Sequence, residues 1–296
     1  MPELPDLTVV SEALQAALAG RPILRASSPG PLAVRGTPAE LEALIGQRLA
    51  SVIRRGKFLR LQFDQDAVVI NAMLTGRFQL AAPKERVTAR TAVILAFGSR
   101  TKRPGRAAAW TRGASWIPPD DTEAEIRYRD PTQMGKVYLL PKGARRLVPG
   151  YDGPGGLSDT QGPDADDDAL SIDVWRERIR RHPGELKSLL RNQEFVAGIG
   201  NAYSDEILFA ARLDPFRKRA SLAAEEVDEL YSAMRETLDR ATAVLRLRVP
   251  PTFETEVRDF LAVHLQGGRP CPRCGTRISE ISSRRDVTSW CRGCQR

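Results

Sequence analysis

Residues 271–294 read CPRCGTRISEISSRRDVTSWCRGC and contain every cysteine of the 296-residue chain. Cys271 and Cys274 form one CxxC pair, Cys291 and Cys294 form a second, and sixteen residues separate the two pairs. This spacing is typical of two hairpin knuckles that place four thiolates around one zinc ion. Two disulfides are the alternative, which a reducing cytosol disfavours. Because four thiolates complete a tetrahedral shell, the sequence predicts a structural zinc site rather than a catalytic one.

The composition is that of a globular, basic protein. Hydrophobic residues make up 42% and charged residues 28%, which excludes wholesale disorder and fibrous repeats. The apolar runs are far shorter than the ~20 residues of a membrane helix, and the start MPELPDLTVV lacks the order of a signal peptide. We therefore expect a cytoplasmic protein with no membrane partner. The net charge of +8 favours a polyanionic partner, and the 6% aromatic content favours duplex over single-stranded nucleic acid.

Helical periodicity precedes the cysteines. It predicts helices at Ile172–Arg180, Glu185–Arg191, Tyr203–Ala211, Leu222–Leu247 and Glu254–Val263. Gly198, Gly200 and Asn201 stand immediately before the third of these helices. Glycine lets a phosphate approach the backbone, and the first N–H groups of a helix attract an anion. Taken alone, the pattern is more typical of an ordinary tight turn.

The first half of the chain is rich in short strand patterns. Apolar residues at helical spacing predict a helix over Leu7–Leu18, and Thr37-Pro38-Ala39-Glu40 is a capping box that predicts a second, short helix. Strands are predicted at Arg48–Ile53, Phe58–Phe63, Ala67–Ala72, Arg77–Leu80, Thr91–Phe97, Ile126–Arg129 and Lys136–Leu140. Together these elements predict an α+β fold whose N-terminal half is a β-sandwich with flanking helices.

Two segments lack a regular pattern. Gly98–Ala124 is rich in Arg, Lys, Gly and Pro, and it reads either as a surface loop that orders on a partner or as an inert insertion. The acidic, Gly/Pro-rich segment from Gly150 to Asp168 predicts a hinge between domains. The predicted organisation is a β-sandwich domain (1–149), a linker (150–168), a helical domain (169–264) and a zinc finger (265–296).

The order of the motifs resembles one known family. MPELPD at the start, RRGKFL at 54–59, GIGNAYSDE at 198–206 and the four-cysteine finger occur in the order found in the formamidopyrimidine-DNA glycosylase / endonuclease VIII family of base-excision repair enzymes. The resemblance spans the whole chain. It implies that the helical domain is a helix–two-turn–helix DNA-binding domain and that the partner is damaged double-stranded DNA.

The resemblance also implies a catalytic set. Removal of Met1 would expose Pro2, which matches the family's nucleophile, and an α-amino group has an ordinary pKa of roughly 7.7–8.0, so that a useful fraction is neutral at cellular pH. Its secondary amine attacks C1′ of the damaged nucleotide to form a Schiff base, and β- and then δ-elimination cleave the strand. Glu3 matches the family's acid. Lys57 matches the hairpin lysine that contacts phosphate and assists elimination.

Other positions match DNA contacts of the family. Asn201 and the N–H of Gly200 match a phosphate site beside the lesion, and Lys187 matches a neighbouring one. Leu74 aligns with the residue that fills the space left by a flipped base, and Asn71 stands where histidine is common. Glu206 either orients the site or caps structure.

Several positions depart from the family pattern. Asp6 replaces a glutamate and is one methylene shorter, and Thr132-Gln133-Met134 replaces two arginines and a phenylalanine that fill the duplex and read the orphan cytosine. The chain is also short between Thr252 and Cys271, where some members carry a loop over 8-oxoguanine. These departures move the expected substrate towards oxidised pyrimidines or ring-opened purines.

The finger carries a further departure. The family's catalytic arginine lies five residues before the third cysteine, and that position here is Asp286. Arg285 fills the role after a one-residue slip in the hairpin; without that slip, δ-elimination is not expected.

The sequence therefore predicts a monomeric, bifunctional DNA glycosylase and AP lyase with one structural zinc ion. One alternative is an enzyme limited to oxidised pyrimidines or abasic sites. A second is a damaged-DNA-binding protein with reduced catalysis, favoured by the altered void-filling and finger positions but not by the presence of Pro2, Glu3 and Lys57. A zinc-ribbon DNA-binding module outside repair is a third, and it would not need the Met-Pro-Glu start.

Overall fold

The computed structural model describes residues 1–101, 107–151, 161–283 and 286–296. Its helices are α1 (Leu4–Leu18), α2 (Pro38–Glu42), α3 (Ile172–Arg181), α4 (Leu186–Arg191), α5 (Asn201–Ala210) and α6 (Ala224–Arg248). Its strands are β1 (Ile23–Ser27), β2 (Val34–Arg35), β3 (Leu49–Arg55), β4 (Phe58–Phe63), β5 (Ala67–Asn71), β6 (Arg77–Ala81), β7 (Thr91–Phe97), β8 (Ala124–Arg129), β9 (Lys136–Leu140), β10 (Ser279–Ser282) and β11 (Val287–Trp290). None of the helices in these ranges is long and apolar enough to cross a bilayer.

The chain divides into two compact units. The first consists of Met1–Ser158 and Val244–Glu256, and the second of Asp159–Ala243 and Val257–Arg296. Val244–Glu256 was expected in the helical domain (169–264) but packs with the first unit, and the predicted linker (150–168) is divided between the two units. The rest of that helical domain and the cysteine module share the second unit.

Two sheets form the first unit. One has the strand order β2-β9-β5-β4-β3 and the other β1-β7-β8-β6, and all neighbouring strands are antiparallel except β2 and β9. Strand β5 buries four of its five residues and β7 buries six of seven, so both faces of each strand are covered. This explains their continuous apolar sequences. The predicted α+β class, with an N-terminal β-sandwich and a C-terminal helical domain carrying a four-cysteine module, is confirmed.

Helix α1 begins earlier than its apolar spacing predicts. Leu4 is its first residue, and the backbone N–H of Glu3 at the N-cap donates to the Asp6 carboxylate at 2.8 Å. Such a carboxylate in the first turn satisfies a backbone donor that has no partner within the helix. Glu3 is therefore the N-cap of α1, and Pro2 directly precedes it.

Helices α3 to α6 agree with the predicted periodicity, but the helix predicted at Glu254–Val263 is absent. These residues form turns and irregular structure. The N–H groups of Ala262 and Val263 each donate to the Glu206 carboxylate at 2.8 Å, so they are bound to a side chain from α5 rather than to a helical ladder. This prediction was wrong because the competing partner lies more than fifty residues away in sequence.

The described part of the 98–124 segment is anchored within the first unit. The guanidinium of Arg21, which is fully buried, donates to the carbonyls of Gly98, Pro118, Pro119 and Thr122. The Trp110 indole donates to Glu12 of α1 at 2.6 Å. The described part of this segment thus packs on the first unit.

The predicted hinge is only partly described. Residues 152–160 lie outside the described residues, whereas 161–168 pack in the second unit. The N–H of Gly162 donates to the carbonyl of Gln193 and that of Ala165 to the carbonyl of Ala197, both in the turn between α4 and α5.

Candidate functional site

The predicted nucleophile and acid lie at the start of α1. Pro2 is buried, and the Glu3 residue is 2% exposed. Asp6, which replaces the family's glutamate, reaches back to the N–H of Glu3, so the shorter carboxylate still caps the first turn. Pro2 and Glu3 therefore lie immediately before the first turn of α1, with Glu3 as its N-cap.

A small pocket opens beside Pro2. Its lining includes Pro2, Asp6, Gly76, Arg77 and Glu256, and its volume of about 20 Å³ is room for a single water molecule. Glu256 lies close to the chain start, because its Oε1 is 3.4 Å from the amino nitrogen of Met1. Neither Arg77 nor Glu256 was identified from the sequence, since nothing local marks a residue that meets the terminus through the fold.

Lys57 lies in the tight turn between β3 and β4. Gly56 precedes it with φ of 54°, a left-handed conformation that favours glycine, and Lys57 is half-buried. The hairpin is tied to α1, because Arg54 Nε donates to the Thr8 hydroxyl at 2.9 Å. The fold thus joins the lysine turn to the helix that begins beside Pro2 and Glu3.

Leu74 is presented on a tight turn after β5. The side-chain oxygen of Asn71 accepts a hydrogen bond from the N–H of Met73 at 3.0 Å, and Met73 has φ of 47°. Leu74 follows, and its residue surface is 41% exposed. The predicted void-filling leucine is therefore exposed at a turn that the Asn71 side chain stabilises.

A second loop is tied to this turn by Asp130, which the sequence did not identify. The Asp130 side chain is 1% exposed, and its carboxylate accepts from the Thr75 hydroxyl at 2.5 Å and from the Gly135 N–H at 2.6 Å. Met134 on this loop is 39% exposed. Two apolar side chains, Leu74 and Met134, are therefore presented on loops that share one buried carboxylate.

The Gly198–Asn201 turn leads directly into α5. Gly198 has φ of 101°, and its N–H donates to the side chain of Gln193 at 3.0 Å. Gly200 is the N-cap, and Asn201 is the first helical residue. The side-chain oxygen of Asn201 is buried and, within the described residues, has no hydrogen-bond partner. The unpaired atom is an acceptor, so an anion at this helix start would be bound by N–H donors rather than by this oxygen.

Lys187 is held in a buried ion pair. Its ammonium is 2.5 Å from the Asp205 carboxylate and donates to the Val287 carbonyl at 2.6 Å. The other Asp205 oxygen lies 2.8 Å from Nδ1 of His264. Burial lowers the pKa of Lys187, and Asp205 opposes that shift. These contacts join α4, α5 and β11, which favours a structural role for Lys187 over the predicted phosphate contact.

Glu206 also acts within the second unit. The residue is 4% exposed, and its carboxylate accepts the N–H groups of Ala262, Val263 and His264, each at 2.8 Å. Of the two roles that the sequence left open, this geometry favours the structural one.

The four cysteines meet as predicted. All four sulfurs lie within 4.8 Å of one another, with Cys271 and Cys294 at 3.9 Å and Cys274 and Cys291 at 3.5 Å. A tetrahedral zinc with bonds of about 2.3 Å requires sulfurs roughly 3.8 Å apart, so the observed spacing fits such an ion. The donor set could therefore hold one metal ion.

The hairpin between the cysteine pairs carries Asp286, at the position where the resemblance predicts an arginine. Asp286 pairs with Arg191 of α4 at 2.7 Å. Arg285, the predicted substitute for the family's arginine, lies outside the described residues. The finger is joined to α5 as well, because Arg273 donates to the Phe209 carbonyl at 3.0 Å.

Two family profiles match the chain. The formamidopyrimidine-DNA glycosylase N-terminal domain matches residues 1–137, and the formamidopyrimidine-DNA glycosylase H2TH domain matches residues 161–247. Among curated relatives, the formamidopyrimidine-DNA glycosylases of Geobacillus kaustophilus and Heliobacterium modesticaldum are each 31% identical, and each alignment covers 100% of both chains.

Solved structures agree in fold. A complex of Lactococcus lactis Fpg with DNA containing an abasic site has a TM-score of 0.80 at 22% identity and covers 99% of both chains. A complex of the wild-type Lactococcus lactis protein with DNA containing N7-benzyl-Fapy-dG has a TM-score of 0.81 over 100% of both chains. With relatives at 31% identity along its full length, the chain belongs to the formamidopyrimidine-DNA glycosylase family, as its motifs predicted.

Proposed function

We propose that this protein excises oxidised bases from duplex DNA and then cleaves the strand as an AP lyase through a Schiff base at Pro2. The observation that carries this proposal is the Pro2-Glu3 start, in which Glu3 caps α1 and Pro2 lines a water-sized pocket. The names of the relatives and the damaged DNA in the related complexes support the same activity.

The chemistry begins once Met1 has been removed. The neutral Pro2 nitrogen attacks C1′, its lone pair forms the N–C1′ bond, and the bond from C1′ to the base breaks. The departing base takes a proton, for which Glu3 is the proposed donor. The bound nitrogen then loses its proton, and its lone pair forms the C1′=N⁺ bond as the C1′–O4′ bond breaks; O4′ takes up a proton and the sugar ring opens. The iminium acidifies C2′, whose proton is lost as the C3′–O3′ bond breaks and the 3′ phosphate leaves. Lys57, in the hairpin turn, is proposed to hold the phosphate during this step.

Four further residues are proposed to bind the DNA. Leu74 would occupy the space left by the flipped nucleotide, with Asn71 shaping its turn. Gly200 and Asn201 would bind a backbone phosphate at the start of α5, where the partial positive charge of a helix favours an anion. Acting as a monomer, the chain would need no second subunit to complete this set.

Substrate preference is proposed to lie with oxidised pyrimidines, ring-opened purines and abasic sites. Residues 132–134 are Thr, Gln and Met, so the two arginines with which the family reads an orphan cytosine are not present at these positions. Asp286 stands where the family has a catalytic arginine, and it forms an ion pair with Arg191. We therefore expect β-elimination to dominate over δ-elimination.

The metal of the finger is proposed to be zinc in a purely structural role. Zinc would bind the four thiolates and hold the two knuckles together, and no reaction step passes through it. Chelation should release about one zinc ion per chain and weaken duplex binding, with recovery when zinc is returned. Duplex affinity that survives full metal release would contradict this role.

Borohydride trapping tests the enzymatic proposal. The protein is incubated with borohydride and a duplex that carries 8-oxoguanine, 5-hydroxycytosine, thymine glycol or an abasic site. The intact mass of the protein shows whether Met1 has been removed. Covalent capture is expected on at least the abasic and pyrimidine substrates, and Pro2→Gly should weaken or abolish it. A processed protein that binds these duplexes but traps on none would instead be the damaged-DNA-binding protein with reduced catalysis.

A further inference from the structure

Glu256 follows the long helix α6 in sequence, but its side chain lies beside Met1, the first residue of the chain. One carboxylate oxygen accepts from the Met1 amino group at 3.4 Å, and the other accepts from the Arg77 guanidinium. The Glu256 side chain is 32% exposed and that of Arg77 is 18% exposed, so the pair is partly shielded from water. Both residues line the pocket beside Pro2.

Aromatic contacts hold the segment that carries Glu256. Phe253 is 3% exposed and meets Trp116 edge-on at 5.6 Å, and Trp116 lies 5.8 Å from Trp110. Trp110 donates in turn to Glu12 of α1. The insertion within residues 98–124 therefore fixes Glu256 beside the start of α1.

The geometry limits how far Pro2 can be from this carboxylate. Met1 N lies 3.4 Å from Glu256 Oε1, and standard bond lengths put successive backbone nitrogens at most about 3.7 Å apart, so Pro2 N is within about 7 Å. The charged groups facing the pocket are Asp6 from α1, Arg77 from β6 and Glu256. Asp6 already accepts the N–H of Glu3.

We propose that Glu256 is a positioning residue for the Pro2 amine, holding it at the pocket in the processed protein while Arg77 orients the Glu256 carboxylate. This inference rests on the proposed Schiff-base function. The protonated amine gives one proton to water before its lone pair attacks C1′. A carboxylate nearby favours the protonated form, and a guanidinium disfavours it. Glu256 and Arg77 thus act in opposite directions on the pH at which the amine becomes reactive.

The pH dependence of single-turnover borohydride trapping on an abasic duplex tests this proposal. Glu256→Gln should lower the midpoint of the acid limb by about 0.5 pH unit, from a screened charge several ångströms away, and should slow trapping at the plateau about threefold. Arg77→Gln should raise the midpoint by a similar amount. Glu256→Asp should restore most of the wild-type profile.

Glu254→Gln is the matched control, because it removes the same charge from the same segment two residues away. Its midpoint should equal that of the wild-type protein. Coincident midpoints for Glu256→Gln, Glu254→Gln and wild type would overturn the positioning role, as would an Arg77→Gln midpoint that does not rise. Wild-type protein that fails to trap would refute the proposed function itself, whereas trapping with unshifted midpoints refutes only the role of Glu256.

Discussion

The buried Glu206 carboxylate accepts the backbone N–H groups of a segment that the sequence predicted to be helical. Its two oxygens accept three backbone N–H groups, those of Ala262, Val263 and His264. A carboxylate accepts strong hydrogen bonds, and burial makes an unmet backbone donor costly. Glu206 therefore fixes the path of the chain between α6 and the finger.

Removal of this carboxylate should destabilise the second unit. We expect Glu206→Ala to lower the free energy of unfolding by about 3 kcal/mol, because three buried N–H groups lose their partner. Glu206→Gln should cost less, since the amide oxygen still accepts. Urea denaturation measures both, with Glu229→Ala on the exposed face of α6 as control. An alanine variant as stable as the control would contradict this account.

The Tyr128 hydroxyl lies so close to Gly135 that no side chain fits at position 135. A Cβ at Gly135 would lie 1.9 Å from the Tyr128 hydroxyl, and one at Gly76 would lie 2.3 Å from it. The hydroxyl is buried and, among the described residues, has no hydrogen-bond partner. Burial also raises the pKa of Tyr128, so the phenol stays neutral. Both glycines flank the loops that carry Leu74 and Met134.

A double-mutant cycle tests this packing. Gly135→Ala should lower the free energy of unfolding by about 2 kcal/mol through overpacking. Tyr128→Phe should raise it by about 1 kcal/mol, because it removes an unpaired buried hydroxyl. The double variant should recover at least ~1 kcal/mol relative to additivity. Strictly additive effects would mean that the hydroxyl does not limit the space.

Among the helices and strands, the sequence predicted those elements whose start or pattern is determined by neighbouring residues. Helix α2 begins where its capping box predicts, because the Thr37 hydroxyl and the Glu40 carboxylate bond each other's backbone N–H groups. Strand β1 escaped prediction because only Ile23 of its five residues is buried, so it lacks an apolar pattern. Its pairing with β7 is a contact between residues some seventy positions apart.

The turn after β5 makes a prediction about base extrusion. Leu74→Ala should slow excision from a paired duplex about tenfold, because less apolar surface fills the space left by the base. The defect should shrink on an abasic site, where no base must be unstacked. Single-turnover rates on both substrates measure this, and Leu247→Ala, at an 87% exposed position of α6, is the control. Equal defects on both substrates would exclude a wedge role.

At the scale of the whole molecule, part of the candidate site was predictable and part was not. Pro2, Lys57 and the four cysteines stand in short motifs, so their neighbours in sequence identify them. Asp130 and Glu256 meet their partners only through the fold, and no local pattern marks them. Lys187 shows the opposite case. The family resemblance predicted a phosphate contact for it, whereas in the fold its ammonium pairs with Asp205.

The overall charge of +8 predicts a strong salt dependence of duplex binding. With about four phosphate contacts, affinity should fall on the order of 100-fold between 50 and 200 mM salt. Pro2→Gly should leave this slope unchanged, because the nucleophile contributes no phosphate contact. Fluorescence anisotropy with an undamaged and an abasic duplex measures the slope. Affinity that is flat across this range would indicate that binding does not depend on the DNA backbone.

The shared carboxylate of Asp130 has a consequence for altering lesion preference by design. Exchanging the Leu74 loop alone removes the short Thr75 hydrogen bond from this buried acid and leaves that oxygen with the longer bonds from Thr132. A library that grafts both loops as a single cassette, with the aspartate kept, should yield folded variants more often than one that randomises either loop alone.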